Sequence, residues 1–188
     1  MGSFTKEESK FKTPPEDTYW LDLIWIQEVE GKNGPYYRWY WAVADVKGQE
    51  EWKGCRATSQ TTLTPTVNNR FGTFLDVLVG EEVDVGFEGS TEDIAMAGYR
   101  VKGFLEHKHS KGYDNPFCNI TKLIEDSAHK GEGVGIEGAG NKLRESINEY
   151  LKKEGKPLLE ISEEESKGKP KAKPAAEQKA PKKKELPW

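Results

Sequence analysis

The side-chain period of this chain changes twice between residues 19 and 126, and this succession limits the folds that the chain can adopt. Five segments are predicted to be β-strands, because they are rich in β-branched or aromatic residues and are bounded by turn signals: residues 19–30, 34–45, 55–63, 97–109 and 116–126. Between the third and the fourth, residues 64–79 have a helical period instead. The apolar residues of that segment are Val67, Phe71, Phe74, Leu75, Leu78 and Val79. The sequence therefore predicts three strands, one helix and two strands, in that order.

Signals at both ends of the helical segment support this order. Thr64 or Thr66 can cap the start of the helix, with Pro65 where a first turn tolerates proline. Gly80 can end the helix. The same order of elements is found in the five-stranded antiparallel barrel of the oligonucleotide-binding (OB) kind, whose helix lies between strands 3 and 4. We therefore expect a mainly β fold built on an OB-like barrel.

The chain divides by composition into four parts. We predict a flexible N-terminal segment, an OB-like domain, a Gly-rich linker with a short helix, and a disordered tail: residues 1–16, 17–126, 127–161 and 162–188. The short helix would place four apolar residues on one side: Leu143, Ile147, Tyr150 and Leu151. The tail consists mostly of Lys, Glu, Pro and Ala, which bury too little apolar surface to fold.

The composition is typical of a soluble protein with an unfolded part. Of the 188 residues, 35% are hydrophobic and 32% are charged. No apolar run approaches the roughly 20 residues that span a bilayer, and the N-terminal residues lack the apolar core of a secretory signal. The two cysteines, Cys55 and Cys118, do not indicate a disulfide framework. We expect a cytoplasmic protein of a reducing compartment, without a membrane partner.

The second strand carries aromatic residues on both faces, although a strand needs them only on its buried face. Because side chains alternate along a strand, the more apolar set should point inward: Tyr37, Trp39, Trp41 and Val43. The other face presents Tyr36, Arg38 and Tyr40 in a row. Stacking of a base on an aromatic ring is worth roughly 1–3 kcal/mol and needs no particular base sequence. We predict that this row binds single-stranded DNA, because the arginine can also contact a phosphate.

Trp52, Lys53 and Arg56, in the hairpin that follows, extend this predicted DNA-binding set. Two observations count against DNA binding. Cross-strand aromatic pairs stabilise sheets by about 0.2–1 kcal/mol without any ligand. Residues 17–125 also contain 17 acidic and 11 basic residues, a net charge of −6, whereas binding to a nucleic-acid backbone usually depends on a positive groove.

Three other patterns suggest different chemistry. Two cysteines and two histidines could bind zinc: Cys55, His107, His109 and Cys118. They lack the CxxC or HxxxH spacing of such sites. Residues 133–138 match G-x-G-x-x-G without the βαβ unit that a dinucleotide site requires, so we interpret them as linker. The acidic pairs Glu81-Glu82 and Glu92-Asp93 have no convergent base or lysine. We predict no metal, no cofactor and no enzymatic activity.

Four phrases of the sequence together resemble a group of small phage-encoded single-stranded-DNA-binding proteins of the OB-fold kind: GKNGPYYRWYWAVAD, WKGCRATSQTTLTP, FGTFLDVLVG and EHKHSKGYDNPFCNITKL. The resemblance covers residues 17–125. It implies an OB-like fold, a role in DNA replication or recombination, and a location in the cytoplasm of a host cell. By position it places Tyr36, Arg38 and Tyr40 on the binding strand. Cys55 and Ala57 depart from the pattern, which typically has bulkier or basic residues there.

The end of the tail is an apolar cluster that folding does not require. Bacterial single-stranded-DNA-binding proteins end in an acidic tip with a final Pro-Phe pair that partner proteins capture, and residues 185–188 are similar in form. A partner pocket can take the indole while a basic residue meets the terminal carboxylate. We predict that Leu186, Pro187 and Trp188 dock replication or recombination proteins. Residues 182–184 are lysines in place of the acidic run, so they could instead hold DNA or belong to a solubilising spacer.

The sequence thus leaves two functional classes open. The first is sequence-independent binding of single-stranded DNA during replication or recombination. The alternative is a protein-interaction adaptor that docks replication or recombination proteins through barrel and tail without tight DNA binding. The tyrosine row favours the first class and the negative charge of the domain favours the second. A homo-oligomer is compatible with either class.

Overall fold

The computed structural model describes residues 13–79, 88–112 and 115–161. In these residues one sheet contains six strands: β1 (Asp17–Gly31), β2 (Gly34–Val43), β3 (Arg56–Thr61), β4 (Tyr99–Lys108), β5 (Phe117–Leu123) and β6 (His129–Lys130). The α-helices are α1 (Arg70–Val79), α2 (Thr91–Met96) and α3 (Asn141–Lys153), and short 3-10 turns occupy Glu50–Trp52 and Gly135–Gly138. The chain divides into two compact units, Met1–Ala139 and Gly140–Trp188, and the sheet belongs to the first. None of the described helices is long and apolar enough to cross a membrane.

Five of the strands close into a ring in the order β1-β2-β3-β5-β4, because β1 pairs with both β2 and β4. Every pairing in the ring is antiparallel except that of β3 with β5, where Thr58 lies opposite Asn119 in a parallel pair. The expectation of a fully antiparallel arrangement is therefore wrong at this pair. A closed ring with an odd number of strands cannot reverse direction at every step, so at least one neighbouring pair must be parallel.

A bulge in β1 allows this long strand to pair with both β2 and β4. Leu23 lies opposite Trp41, but Trp25 lies opposite Tyr40, so Ile24 is an extra residue in β1. Such a residue bends a strand and increases its twist. The bulge lies just beyond the segment that pairs with β4, which ends at Asp22. β1 can therefore turn from β4 to β2 and close the ring.

An aromatic cluster from β2 and α1 forms part of the core, beside aliphatic residues of β1, β4 and β5. The rings of Trp39 and Trp41 lie parallel with centroids 5.9 Å apart, and Phe74 meets Trp39 edge-on at 5.3 Å. Phe71 makes a similar edge-on contact with Trp39 at 5.7 Å. Offset and edge-to-face geometries are the favourable ones for aromatic pairs. α1 thus packs its apolar side onto the buried face of β2, as its period predicts.

The start of α1 differs from the sequence expectation. The helix begins at Arg70, and the side chain of Asn69 caps it by accepting a hydrogen bond from the Gly72 amide at 2.9 Å. The same side chain also accepts from the Thr66 amide (3.1 Å) and donates to the Thr64 carbonyl (2.8 Å). The prediction that Thr64 or Thr66 would cap the helix is wrong because Asn69 holds both residues in the preceding loop. Gly80, the predicted end of the helix, lies outside the described residues.

Two elements were absent from the expected order. α2 adds a second helix between β3 and β4, and its six residues are too few to show a helical period. β6 pairs with Tyr99 and Arg100 of β4, within the stretch predicted to be a Gly-rich linker. The glycines there allow close backbone approach, since a Cβ on Gly133 would lie 2.5 Å from the Tyr99 carbonyl oxygen. The amide of Gly133 donates to the Gly98 carbonyl at 2.9 Å.

The second unit contains the short helix that the sequence predicts. α3 buries Leu143, Ile147 and Leu151, whereas Tyr150, predicted on the same side, is 39% exposed. The Asn148 side chain binds the Leu159 amide at 2.7 Å and the Leu159 carbonyl at 2.9 Å, so the segment after the helix returns along it. The predicted disordered tail, residues 162–188, lies outside the described residues. So does most of the predicted flexible N-terminal segment, residues 1–12.

Candidate nucleic-acid interface

The two faces of β2 have the orientation predicted from the alternation of its side chains. Trp39 and Trp41 are 0% and 1% exposed, and their indole N–H groups donate to Thr61 Oγ1 (3.0 Å) and Ser59 Oγ (2.8 Å) on β3. Tyr36, Arg38 and Tyr40 lie on the opposite face and are half-buried. The prediction that this row faces outward is confirmed.

Strand register shows which neighbours share that outward side. Residues directly opposite one another in an antiparallel pair point to the same face. The outer face, as we call it, therefore consists of eight residues on three strands: Trp25, Gln27 and Val29 on β1, Tyr36, Arg38 and Tyr40 on β2, and Thr58 and Gln60 on β3. These eight described residues include one arginine and no carboxylate, and one of them, Trp25, is buried. Glu28 and Glu30 of β1 alternate with them and lie on the other side of the strand.

The tyrosine row is held in place by hydrogen bonds within the outer face. Arg38 Nη2 donates to the Tyr36 hydroxyl, and the Arg38 guanidinium carbon lies 5.6 Å from the centroid of the Tyr36 ring. The Tyr40 hydroxyl donates to Gln27 Oε1 at 3.1 Å. Gly31 leaves space for the first ring, because a Cβ there would lie 2.8 Å from Tyr36 Cε1. Both rings are thus oriented before any ligand arrives.

Arg38 keeps its positive charge in this setting. Burial tends to lower the pKa of the guanidinium, but hydrogen bonds and electrostatic interactions with Tyr40 and Tyr36 more than offset it, so the pKa is raised. A guanidinium carries five N–H donors in a planar fork, which suits the geometry of phosphate oxygens. Arg38 can therefore bind a phosphate while it still contacts Tyr36.

A cleft of about 590 Å³ opens beside Tyr36, where the tip of the β1–β2 hairpin faces the end of β3 and the start of α1. Lys32 and Arg70 line it, together with Gln60 and Asn69. Arg70 Nη1 is 3.5 Å from the Gln60 carbonyl oxygen. The sequence analysis missed Lys32 and Arg70 because 38 positions separate them in the chain. Only the fold brings these two cations to the same cleft.

The other three predicted residues lie nearer the opposite end of β2. Arg56 is exposed at the start of β3, opposite Ala42 and two positions before Thr58 of the outer face. Trp52 is half-buried in a 3-10 turn of the β2–β3 connection. Lys53 is the next residue, and its ammonium forms a 2.5 Å ion pair with Asp45. Arg56 therefore extends the outer face, while Lys53 is already engaged by an acid.

The residues considered for zinc do not form a metal site. Among the described residues, no group of three or more His, Cys, Asp or Glu side chains could hold a metal ion. His107 Nε2 lies 2.8 Å from the Pro14 carbonyl oxygen. Cys55 and Cys118 are not joined in a disulfide, and burial, followed by the effect of Cys55, raises the pKa of Cys118.

The G-x-G-x-x-G match and the acidic pair Glu92-Asp93 lie within the described residues, and both have structural explanations. Gly133 and Gly138, at the two ends of the G-x-G-x-x-G match, pack against backbone and side chains of the first unit. Glu92-Asp93 forms the first turn of α2, where the Ser90 side chain accepts a hydrogen bond from the Glu92 amide. Glu81-Glu82 lies outside the described residues.

Comparisons with known proteins were made at three levels. Searches against protein-family models, curated proteins and solved structures find no match for this chain. The outer face and the adjoining cleft are therefore interpreted from their own chemistry.

Proposed function

We propose that this chain binds single-stranded DNA without sequence preference, through the outer face of β1, β2 and β3. The observation that carries the proposal is the charge of that face. Residues 17–125 have a net charge of −6, yet the eight described residues of the outer face include no carboxylate and contain an arginine between two tyrosines. The domain's acidic residues therefore do not oppose a phosphate at this position.

The strand order supports the same function. A ring of five strands in the order β1-β2-β3-β5-β4, with helical segments between β3 and β4, is what an OB barrel would require, and this supports the proposal. Such barrels bind oligonucleotides on the face of strands 2 and 3 and with the loops that join strands 1 to 2 and 4 to 5. The tyrosine row lies on strand 2, and Lys32 lies in the first of these loops. We therefore interpret the ring as an OB-like barrel.

The chemistry of binding follows from the residues in the row. Bases stack on the Tyr36 and Tyr40 rings, each stack contributing roughly 1–3 kcal/mol. Arg38 and Arg56 contact phosphates of the DNA strand. Lys32 and Arg70 bind phosphates of the part of the DNA that lies in the cleft. Binding of this kind releases counterions and weakens as salt concentration rises. A role in replication or recombination in the cytoplasm of a phage-infected cell would suit a binder without sequence preference.

A salt-titrated binding assay with a fluorescent oligothymidylate tests this function. Tyr36→Ala and Tyr40→Ala should each weaken binding by roughly 1–3 kcal/mol, about 5- to 150-fold, while the melting temperature changes little. Arg38→Gln should weaken binding and also make it less sensitive to salt. Tyr150→Ala, which removes an exposed tyrosine from the second unit, is the matched control and should bind as the wild type does. Equal affinity of all four variants would refute the proposal.

The adaptor function is supported by the negative charge of the domain and by the form of the C-terminal tip. Leu186, Pro187 and Trp188 lie outside the described residues, so the docking of a partner there is a hypothesis from sequence. Deletion of residues 186–188 should leave DNA affinity unchanged and abolish co-purification of replication or recombination proteins. Unchanged recovery of those partners would rule out the tip as a docking element. A homo-oligomer would be detected by sedimentation of the full chain.

A further inference from the structure

A second cluster of aromatic and basic side chains lies on β1, β4 and β6. The Lys102 ammonium lies 4.9 Å from the centroid of the Trp20 ring, and the His129 ring is centred 5.5 Å from it, tilted by 36°. Trp20 and Lys102 are half-buried, and His129 is exposed. We call these three residues the Trp20 cluster. Nothing in the interface described above assigns a role to them.

The backbone of Trp20 is fixed by the connection between β2 and β3. Its amide donates to Gln49 Oε1 at 3.0 Å, and its carbonyl accepts from Gln49 Nε2 at 2.8 Å and from the Ala44 amide at 2.9 Å. These bonds continue the pairing of β1 beyond the last residue of β2. Trp20 is therefore held beside the loop that contains Trp52 and Lys53.

Strand register places the Trp20 cluster on the same side of the sheet as the outer face. One row of directly opposed residues crosses four strands and reaches β6: Arg56, Ala42, Asp22, Arg100 and His129. Trp20 and Lys102 are opposite each other and lie two positions from Asp22 and Arg100, respectively. Because side chains two positions apart share a face, Tyr40 and Trp20 lie on the same side of the sheet, with the buried residues Ala42 and Asp22 between them.

One carboxylate lies in that connecting row, and it is neutralised. Asp22 is 2% exposed, and its two oxygens accept hydrogen bonds from Arg100 Nε at 2.7 Å and Arg100 Nη2 at 3.1 Å. A bidentate pair of this kind satisfies the charge of the acid within the protein. A phosphate that crosses the row therefore does not meet an uncompensated Asp22, and Arg56 is the exposed cation of the row.

We propose that the Trp20 cluster is a second contact for the same DNA strand, with a base on Trp20 and a phosphate on Lys102. This inference rests on the proposed function. The lysine can exchange the ring for a phosphate, because an exposed cation–π contact is weaker than a charge-assisted hydrogen bond to phosphate. The ring that it leaves is then open to a base. The ligand is thus a single strand that is long enough to cover both contacts.

The length of that strand follows from the sheet. Val29 lies opposite Tyr36, and nine positions of β1 separate it from Trp20. At about 3.3 Å per residue this is roughly 30 Å. Along the axis of stacked DNA one strand rises about 3.4 Å per nucleotide, so a stacked strand that covers both Tyr36 and Trp20 has roughly nine to ten nucleotides. Tyr40 lies opposite Trp25, five positions of β1 or roughly 17 Å from Trp20, so only a strand of about three nucleotides is confined to one contact.

Binding of oligothymidylates of three and fifteen nucleotides to the full chain tests the inference. Trp20→Leu should weaken binding of the fifteen-nucleotide strand by about 5- to 150-fold and leave the three-nucleotide strand, held by the tyrosine row, within about twofold. Lys102→Gln keeps the ring and should reduce the salt dependence for the longer strand alone. Circular dichroism of both variants verifies the fold, and Lys102→Gln serves alone if Trp20→Leu does not fold.

The outcomes separate this inference from the proposed function. If the wild type binds the fifteen-nucleotide strand and both variants bind it equally well, the second contact is refuted and the tyrosine row stands. An equal loss for both strand lengths also overturns it, because the cluster would then belong to the first contact. If the wild type binds neither oligonucleotide, the proposed function fails and the inference fails with it.

Discussion

The two faces of β2 use the same kinds of side chain in different ways. On the inner face, Trp39 and Trp41 donate their indole N–H groups to Thr61 and Ser59, and they pack against Phe74. On the outer face, the tyrosines hydrogen-bond sideways to Arg38 and Gln27 and keep part of their rings in solvent. An aromatic ring whose contacts are completed within the chain contributes to folding. A ring that is oriented but partly uncovered can contribute to binding.

The largest expected effect is a difference in stability between a substitution on the inner face of β2 and one on its outer face. Trp39→Ala should lower the free energy of unfolding by about 3–5 kcal/mol, because it leaves a cavity between Trp41 and Phe74 in the interior. Tyr40→Ala, at the next position of the strand and on the opposite, half-buried face, should cost much less. Urea unfolding of the two variants measures the difference. Equal losses would mean that the outer tyrosines are part of the core.

A second prediction concerns the hydrogen bonds that complete the inner face. Ser59→Ala removes the acceptor of the Trp41 indole N–H at a position that is 0% exposed. A buried donor left without a partner costs about 1–3 kcal/mol. The neighbouring Thr58→Ala, on the outer face, is the matched control and should change the unfolding free energy less. Urea unfolding measures both free energies of unfolding. A smaller loss of stability for Ser59→Ala than for Thr58→Ala would contradict the prediction.

What the sequence predicts well is what strand alternation determines locally. The alternation of Tyr36 to Val43 identifies the inner and outer faces, because the side-chain period of a strand is two whatever its neighbours are. The α1 period likewise identifies Phe71 and Phe74 as core residues. Both predictions need only a few consecutive residues.

Features that depend on contacts between distant segments were not predicted. The cleft joins Lys32 to Arg70, and the Trp20 cluster joins three strands that are far apart in sequence. The Asn69 cap was missed because its competitors, Thr64 and Thr66, carry the same local signal. The parallel β3–β5 pair follows from closure of the ring, which no single segment shows.

A third prediction separates the contribution of the Tyr40 hydroxyl from that of the Tyr40 ring. Tyr40→Phe removes the hydroxyl that donates to Gln27 but keeps the ring. The free energy of unfolding should fall by about 0.5–1.5 kcal/mol, the usual net worth of such a bond. DNA affinity should stay within about twofold of the wild type, since stacking depends on the ring. A loss of affinity as large as that of Tyr40→Ala would show that the hydroxyl, rather than the ring, meets the ligand.

The smallest expected effect concerns the ion pair of Lys53 with Asp45 at the edge of the interface. The two side chains are 60% and 56% exposed, and an exposed pair of this kind contributes about 0–1 kcal/mol to stability. Asp45→Asn should therefore leave the unfolding free energy nearly unchanged. It should also release Lys53 for a phosphate, so that DNA affinity rises by less than about tenfold and its salt dependence becomes steeper.

Glu125→Gln is the control for that last substitution, because it makes the same change in net charge at an exposed position beyond the end of β5. Any general effect of removing a negative charge appears in both variants. A larger gain for Asp45→Asn than for Glu125→Gln would place Lys53 in the interface, and Lys53→Gln should abolish that gain. Equal gains would place Lys53 outside the interface and restrict binding to the tyrosine row, Arg56 and the cleft.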